Sequence, residues 1–218
     1  MIVALDIETI PNAQVAHLLP EPSIDSRLKD PAKIAEAQAG AKQKQLDSMA
    51  LDPLTGRILC FALVNGDAEY ERIIDEPTDA LEIDLLHELF ATLGNPECRL
   101  VTWNGIGFDL PYIYKRAAVL GINPGNFGAP PLTTWTARYK TDRHYDLMQI
   151  WGGWRDFTKL DTVAGLMLGE KKTQGIDVTK FIDQMKTEEG AREILDYCVQ
   201  DTRLTWRLFE RMLGTLFV

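Results

Sequence analysis

The chain has 218 residues, which suits one α/β domain or a domain carrying an insertion. Hydrophobic residues make up 45% and charged residues 25%, a composition that excludes a disordered chain. The sequence contains no run of about 18 apolar residues, so no membrane span is predicted. The formal net charge of -9 argues against binding polyanions through bulk charge, but it leaves open a local phosphate site built from cations held by acids.

The N-terminus and the cysteines indicate a reducing compartment. The first residues lack a basic flank and a small-residue cleavage site, so no secretory signal is predicted. Cys60, Cys98 and Cys198 show no CxxC spacing, and each is predicted to be a small core residue rather than a zinc ligand. The predicted location is therefore the cytoplasm, with no zinc and no membrane partner.

The first third of the chain predicts one strand, an irregular insertion and a hairpin. Residues 2–8, "IVALDIE", are typical of a buried strand. Residues 12–56 are irregular, although 32–46 have helical composition. "RILCFALVNG" predicts a second strand, and Asn65-Gly66 is a hairpin signal that leads to a partner strand at 68–75.

Helices and strands alternate in the rest of the sequence. Asp79 and Thr158 are predicted helix caps, and Pro111 falls in the first turn of a helix. The predicted elements are a helix at 79–94, a strand at 98–104, a helix at 109–121, a loop at 122–143, a short helix at 159–169 and a long helix at 188–213. This order predicts an α/β layer structure with a mixed sheet.

Two acids lie at the end of the first strand. Side chains alternate along a strand, so Asp6 and Glu8 face the same way, where like charges repel each other and resist burial. No basic residue occurs between Val3 and Pro11, which favours a hard divalent cation as the compensating charge. The alternative is a pair of acids at a solvated strand end.

A third acid opens the helix that begins near residue 109. Asp109 is a reasonable N-cap, because a helix N-terminus favours negative charge. A capping role for Asp109 does not explain why Asn104, Gly105 and Gly107 precede it. The two glycines would allow close approach of the backbone to a ligand.

A fourth acid lies on the final helix. Tyr197 precedes Asp201 by four residues, so both share one helix face, and Leu204 and Leu208 continue that face into a predicted core. An acid in an apolar stripe requires a partner, which is either a shared site or a Tyr-Asp hydrogen bond at the helix surface.

Taken in order, these motifs resemble a known family. "DIET", "NGxxFD" and "YxxxD" are similar to the three motifs of the DnaQ-like, or DEDD, 3′–5′ exonucleases, and the tyrosine indicates the DEDDy branch. "HYDLMQI", "KLDTVAGLMLGEKK" and "YCVQDTRLTWRL" resemble the proofreading domain of family B DNA polymerases. The chain has no room for a polymerase domain, so the resemblance is to stand-alone bacterial proteins predicted to be exonucleases.

The resemblance implies a fold, a cofactor and a set of roles. It implies one 3′–5′ exonuclease domain over 1–218, with the insertion at about 12–56 and a ribonuclease H-like fold whose central mixed five-stranded sheet is flanked by helices. It also implies two Mg²⁺ or Mn²⁺ ions. Asp6, Glu8, Asp109 and Asp201 would be the metal ligands, and Tyr197 would help to orient the attacking water.

The reaction hypothesis is hydrolysis of the terminal phosphodiester of DNA, or of RNA, to release a nucleoside 5′-monophosphate by a two-metal-ion mechanism. Thr9 and Ile10 are predicted to meet the terminal sugar and base through backbone groups and apolar contact. Asn104 is predicted to bind a phosphate or sugar. Phe108 either stacks on a base or packs in the core.

Several other side chains have open roles. Asp146 either lines the site or caps a helix, and burial is favoured for Trp103, Trp151 and Trp154 over base stacking. Lys171 and Lys172 lie in a loop that would reach substrate. Six cations form either a local positive track or a solvated basic face: Lys115, Arg116, Arg138, Lys140, Arg143 and Lys159.

Two rival functions remain open at this stage. One is a catalytically idle module that binds single-stranded nucleic acid on the same fold, and the other is an acidic domain stabilised by calcium. The expected partner is a single strand or a 3′ end of DNA or RNA, and the sequence names no protein partner.

Overall fold

A computed structural model of the protein describes residues 1–153, 156–170 and 177–218. Five strands form one mixed sheet, as the resemblance implies. Their order in the sheet is β3-β2-β1-β4-β5. The strands are β1 (Ile2–Pro11), β2 (Gly56–Asn65), β3 (Ala68–Ile73), β4 (Arg99–Thr102) and β5 (His144–Asp146). β1, β4 and β5 run parallel, and β2 runs antiparallel to both β1 and β3.

Helices flank this sheet. Those of at least four residues in the described part of the chain are α1 (Pro31–Ser48), α2 (Asp79–Leu93), α3 (Asp109–Val119), α4 (Leu132–Trp135), α5 (Leu147–Gly152), α6 (Leu160–Leu168), α7 (Phe181–Gln184) and α8 (Glu188–Met212). The predicted loop at 122–143 holds α4 and a 3-10 turn at Pro124–Phe127. Pro124 is the first residue of the 3-10 turn, where its fixed φ suits a helical turn, and Pro131 is the extended cap residue that precedes α4.

The core lies on both faces of the sheet. Ala4 and Val101 pack with Leu204 and Leu208 of α8, which confirms the predicted apolar face of that helix. A larger cluster joins the opposite face of β1 to α2 and α3 and also includes the first half of α8. The first strand is therefore covered on both sides, as its near-continuous apolar run predicts.

The insertion packs loosely and is held at its ends. No residue of α1 is buried. The chain returns to the sheet through a hydrogen bond from Thr9 Oγ1 to the carbonyl of Ala50 at 2.8 Å and one from Asn12 N to Thr55 O at 2.9 Å. A Cβ at residue 56 would overlap the Tyr112 hydroxyl, so the start of β2 requires glycine.

Two predicted caps are wrong. Thr78 caps α2 by accepting a hydrogen bond from Leu81 N, because the Asp79 carboxylate is engaged by Arg57 Nη2 at 2.7 Å. Lys159 is the cap residue of α6, and it makes no side-chain cap bond.

The cysteines behave as predicted, since all three are free and buried. Among the helices in the described ranges, none combines the length and the apolarity that crossing a bilayer requires.

Candidate active site

Three of the four predicted acids meet at one place. Asp6 and Glu8 lie half-buried on one face of β1, while their neighbours Leu5 and Ile7 are buried on the other. Asp201, on α8, is 3% exposed. One carboxylate oxygen from each of Asp6, Glu8 and Asp201 lies within 4.8 Å of the other two. Such a group of hard oxygen ligands can hold a divalent cation.

A β-bulge follows the two acids of β1. Glu8 pairs with Cys60 of β2, but Thr9 pairs with Ile58, so Leu59 is an extra residue on the partner strand. Bulges of this kind re-aim side chains and are common beside active sites. No local pattern of residues predicts this bulge.

Asp109 lies next to the three-acid group without joining it. It is the first residue of α3 rather than its cap, and Phe108 occupies the cap position. The side chain is 3% exposed, and no group in the described ranges donates a hydrogen bond to Oδ1. Burial, with the negative charge of Asp146, raises the pKa of Asp109 to about 7, although backbone N–H groups of Asp109 and Ile7 oppose the rise.

Asp146 holds the loop that precedes Asp109. Its Oδ1 accepts hydrogen bonds from Asn104 N and from Gln149 N, both at 3.2 Å, and its Oδ2 accepts one from Ile106 N at 2.8 Å. The side chain is therefore both the cap of α5 and a support for the loop at 103–108, which agrees with the capping interpretation.

The glycines of this loop are explained by its own side chains. Asn104 adopts a left-handed φ of 70°, which asparagine tolerates. A Cβ at Gly105 would overlap the Thr102 side chain, and a Cβ at Gly107 would overlap Asn104 Oδ1. Contacts within the loop therefore explain why both positions are glycine, in place of the expected close approach to a ligand.

Sequence reasoning missed a buried hydrogen-bonded chain beneath the loop. Gly105 N donates to Thr102 Oγ1 at 3.0 Å, and Thr102 Oγ1 lies 2.7 Å from His144 Nε2. His144 Nδ1 lies 2.8 Å from the carbonyl of Trp135, and burial lowers the pKa of the imidazole. A neutral imidazole that donates from Nδ1 fits this arrangement. The sequence signal for this chain of hydrogen bonds was Thr102, a polar residue at the end of the apolar strand "RLVT".

Tyr197 stands one helical turn before Asp201 on α8, as predicted. Its ring is half-buried and packs edge-on against Phe181, with ring centroids 6.3 Å apart. This contact restricts the orientation of the ring.

A pocket of about 310 Å³ opens beside Glu8. Thr9 lines the pocket and is buried, with its hydroxyl engaged by Ala50. Ile10, predicted to meet the substrate, is fully buried and is not among the lining residues. Phe108 lines the pocket and also packs against Tyr112, with ring centroids 5.4 Å apart. The lining residues are Ile7, Glu8, Thr9, Pro11, Asp47, Ala50, Leu51, Phe108, Val178 and Thr179.

Two of the six candidate cations are committed elsewhere. Arg116 is buried and paired with Glu82, so it belongs neither to a positive track nor to a solvated face. Arg143 contacts Pro96 and lies over the Trp135 ring, at the end of β5 away from Asp146. Exposed cations remain at Lys115, Arg138, Lys140 and Lys159.

The predicted burial of the tryptophans is only partly confirmed. Trp103 is half-buried, and its Nε1 donates to Thr158 O at 3.1 Å. Trp151 is 46% exposed, so the prediction for it is wrong. Trp154, Lys171 and Lys172 lie outside the described residues.

Residues 57–215 match a family model described as "Predicted 3'-5' exonuclease related to the exonuclease domain of PolB". The match covers two of the three predicted motifs and begins after Asp6 and Glu8. Those two acids are joined to the matched region by the pairing of β1 with β2 and β4.

Curated archaeal polymerases are similar to half of the chain. DNA polymerase 1 of Aeropyrum pernix is 28% identical over 120 residues, which are 50% of this chain and 12% of that protein. DNA polymerase 1 of Saccharolobus solfataricus is 29% identical over 120 residues, which are 50% of this chain and 13% of that protein. The similarity thus spans only a small part of each relative.

A solved structure shares the fold. The family B DNA polymerase from Pyrobaculum calidifontis is matched with a TM-score of 0.59 and 20% identity, over 97% of this chain and 24% of that one. Together with the mixed five-stranded sheet, this match confirms the predicted ribonuclease H-like fold.

Proposed function

Because the chain belongs to the family of predicted 3′–5′ exonucleases related to the exonuclease domain of PolB, we propose that it is itself a metal-dependent 3′–5′ exonuclease. In this proposal residues 1–218 form one exonuclease domain that hydrolyses the terminal phosphodiester of DNA or RNA and releases nucleoside 5′-monophosphates. The observation that carries it is the convergence of Asp6, Glu8 and Asp201 within 4.8 Å, from a strand and a helix nearly 200 residues apart in the sequence.

The residues present fit two divalent cations. Asp6, Glu8, Asp109 and Asp201 offer only carboxylate oxygens, which suit Mg²⁺ or Mn²⁺, and four negative charges balance two divalent ions. The buried Oδ1 of Asp109, to which nothing in the described ranges donates, supports the assignment of this acid as a ligand. When bound, such ions lower the pKa of a coordinated water and stabilise charge on the leaving oxygen.

Tyr197 is assigned the orientation of the attacking water. Two observations support this assignment: Tyr197 lies one helical turn before Asp201 on α8, and its ring packs against Phe181. A phenol ordinarily titrates near pH 10, so hydrogen bonding suits this side chain better than proton abstraction at neutral pH.

The pocket beside Glu8 is assigned to the terminal nucleoside. Phe108 offers a ring for the base, and Thr9 borders the same space. Asn104, in the loop before Asp109, is assigned to the adjoining sugar or phosphate.

The test is cleavage of 5′-labelled oligonucleotides in Mn²⁺, in Mg²⁺ and in EDTA, with single-stranded DNA, duplex DNA with a 3′ overhang, and RNA as substrates. We expect a ladder that shortens from the 3′ end and depends on the metal. Asp6→Asn should abolish the ladder.

Each other result has a defined meaning. A ladder that Asp6→Asn leaves intact would contradict the assignment of this ligand. Tight binding without cleavage of any substrate would favour the idle single-strand-binding module. A rise in melting temperature with Ca²⁺, with neither binding nor cleavage, would favour the calcium-stabilised domain.

A further inference from the structure

A second pocket, of about 260 Å³, adjoins the candidate active site. It shares Asp146 and Ile106 with the structure that positions Asp109, so it is continuous with the site rather than remote from it. Its volume lies below the range of roughly 300–1,000 Å³ typical of whole-ligand sites, which suits a single planar group. The lining residues are Ile106, Ala137, Tyr139, Lys140, Thr141, His144, Asp146, Gln149 and Ile150.

Tyr139 forms an exposed aromatic edge of this pocket. It is 81% exposed and has a left-handed φ of 61°, a conformation that bulky residues rarely adopt. Displaying a large ring in this way gains nothing from burial, and strained backbone of this kind concentrates at ligand-binding sites. The ring is therefore in a position to stack on a planar ligand.

The wall of the pocket contains a buried polar atom. Gln149 Oε1 is buried, and no donor in the described part of the chain reaches it. A buried acceptor without a hydrogen bond is costly, and a ligand with an N–H group would satisfy it. The exocyclic amine of a nucleobase is such a group.

The loop also carries local positive charge. Arg138 and Lys140 flank Tyr139 in a protein whose formal net charge is -9, and both are exposed. Cations beside an exposed ring match the phosphates that accompany a base.

We propose that this pocket receives one unpaired nucleobase of the substrate strand, upstream of the scissile phosphate. Tyr139 stacks on the base, Gln149 accepts a hydrogen bond from its amine, and Arg138 and Lys140 contact the flanking phosphates. The proposal rests on the proposed function and adds to it a subsite for one base outside the metal ligands, where that base has left its stack and its pairing partner.

The test is a binding scan that does not depend on cleavage. Fluorescein-labelled 12-mers with one abasic nucleotide, stepped from the 3′ end, are titrated by anisotropy against the Asp201→Asn protein in Ca²⁺. We expect one abasic position to weaken binding by about 5- to 160-fold, since stacking contributes about 1–3 kcal/mol per base. Parallel DNA and RNA series show which sugar the site accepts.

Variants of the pocket identify the contact. Tyr139→Ala in the same background should weaken binding of the intact strand and remove the position dependence of the scan. Gln149→Leu should reduce any preference for adenine or cytosine over thymine at that position alone. Tyr70→Ala is the matched control, because Tyr70 is an exposed tyrosine on β3, and it should leave the scan unchanged.

Failure of this proposal differs from failure of the proposed function. A metal-dependent ladder with no position-specific loss, or a loss that Tyr139→Ala leaves intact, would overturn the base pocket alone. A position-specific loss without any ladder from the wild-type protein would overturn the exonuclease and leave the pocket standing. Absence of binding to every strand would overturn both.

Discussion

Glu82 and Asp109 are both buried carboxylates, and the two regions that hold them satisfy their charge in opposite ways. Glu82 accepts hydrogen bonds from Arg116 at 2.6 and 2.8 Å, from Arg57 at 3.2 Å and from Ile58 N at 2.9 Å. Asp109 has a buried oxygen with no donor in the described ranges, and its charged neighbour is another acid, Asp146.

The difference separates a structural site from the proposed functional one. The Arg57–Glu82–Arg116 network joins β2, α2 and α3, and Arg116 Nη1 also donates to Pro53 O at 3.0 Å, which holds the end of the insertion. Its charges are balanced within the chain. The acids at β1 and α8 carry like charges that repel each other, and the proposed function assigns their balance to divalent cations.

The largest effect is expected from breaking the balanced region. Glu82→Gln removes the carboxylate that pairs with buried Arg116 and leaves buried Arg57 with the exposed Asp79 alone, so it should lower the free energy of unfolding by about 3–5 kcal/mol. Urea denaturation measures the loss. Asp79→Asn is the control, since Asp79 is an exposed partner of the same Arg57 and should cost less than about 1 kcal/mol. Equal losses in both variants would show that burial does not set the difference.

Removing a carboxylate from the acid group should lower the activity without lowering the stability. Asp201→Asn should reduce Mn²⁺-dependent cleavage by at least roughly 100-fold, since loss of groups that merely support metal ligands already costs 10- to 100-fold. The same change relieves repulsion, so in EDTA the variant should melt no lower than the wild type. Asp196→Asn, an exposed acid of the same helix, is the control for both measurements. A marked fall in melting temperature for Asp201→Asn would indicate a structural acid instead.

The pH dependence of stability should also distinguish the regions. The folded pKa of Asp109, about 7, lies above its ordinary value of 3.8, so the folded protein binds more protons between these values. This contribution is fully present below about pH 4 and is lost as the pH rises through 7. His144 acts in the opposite direction, because burial lowers its pKa.

The two contributions are separated by a variant. In EDTA, the difference in melting temperature between Asp109→Asn and the wild type should increase in favour of the variant from pH 5 to pH 8. A difference that stays constant over this range would contradict the raised pKa of Asp109.

The smallest effect lies where the insertion meets β1. Thr9→Val removes the hydrogen bond to Ala50 O and should cost about 1 kcal/mol, the usual net contribution of such a bond. Limited proteolysis should then cut within 12–56 sooner, while Thr9→Ser retains the wild-type pattern. A cleavage pattern unchanged in both variants would show that the contacts of Arg116 and Gly56 hold the insertion without the Thr9 hydrogen bond.

Local patterns predicted much of the fold. The apolar run with alternating acids predicted β1, and the Asn65-Gly66 turn predicted the hairpin of β2 and β3. The apolar face that contains Leu204 and Leu208 predicted α8. These features depend on backbone periods of two and 3.6 residues, which neighbouring residues determine. The caps at Asp79 and Thr158 failed because a competing tertiary partner or backbone contact is invisible locally.

The sequence by itself determined the order of the elements and which acids are available, since strand and helix periodicity and the motif text are properties of the linear chain. Only the tertiary structure decided that Asp6, Glu8 and Asp201 share one place, that Arg116 is withdrawn into the core by Glu82, and that Gln149 and Tyr139 border a pocket. Contacts between residues far apart in the chain depend on sheet pairing and on packing, and no local pattern encodes them.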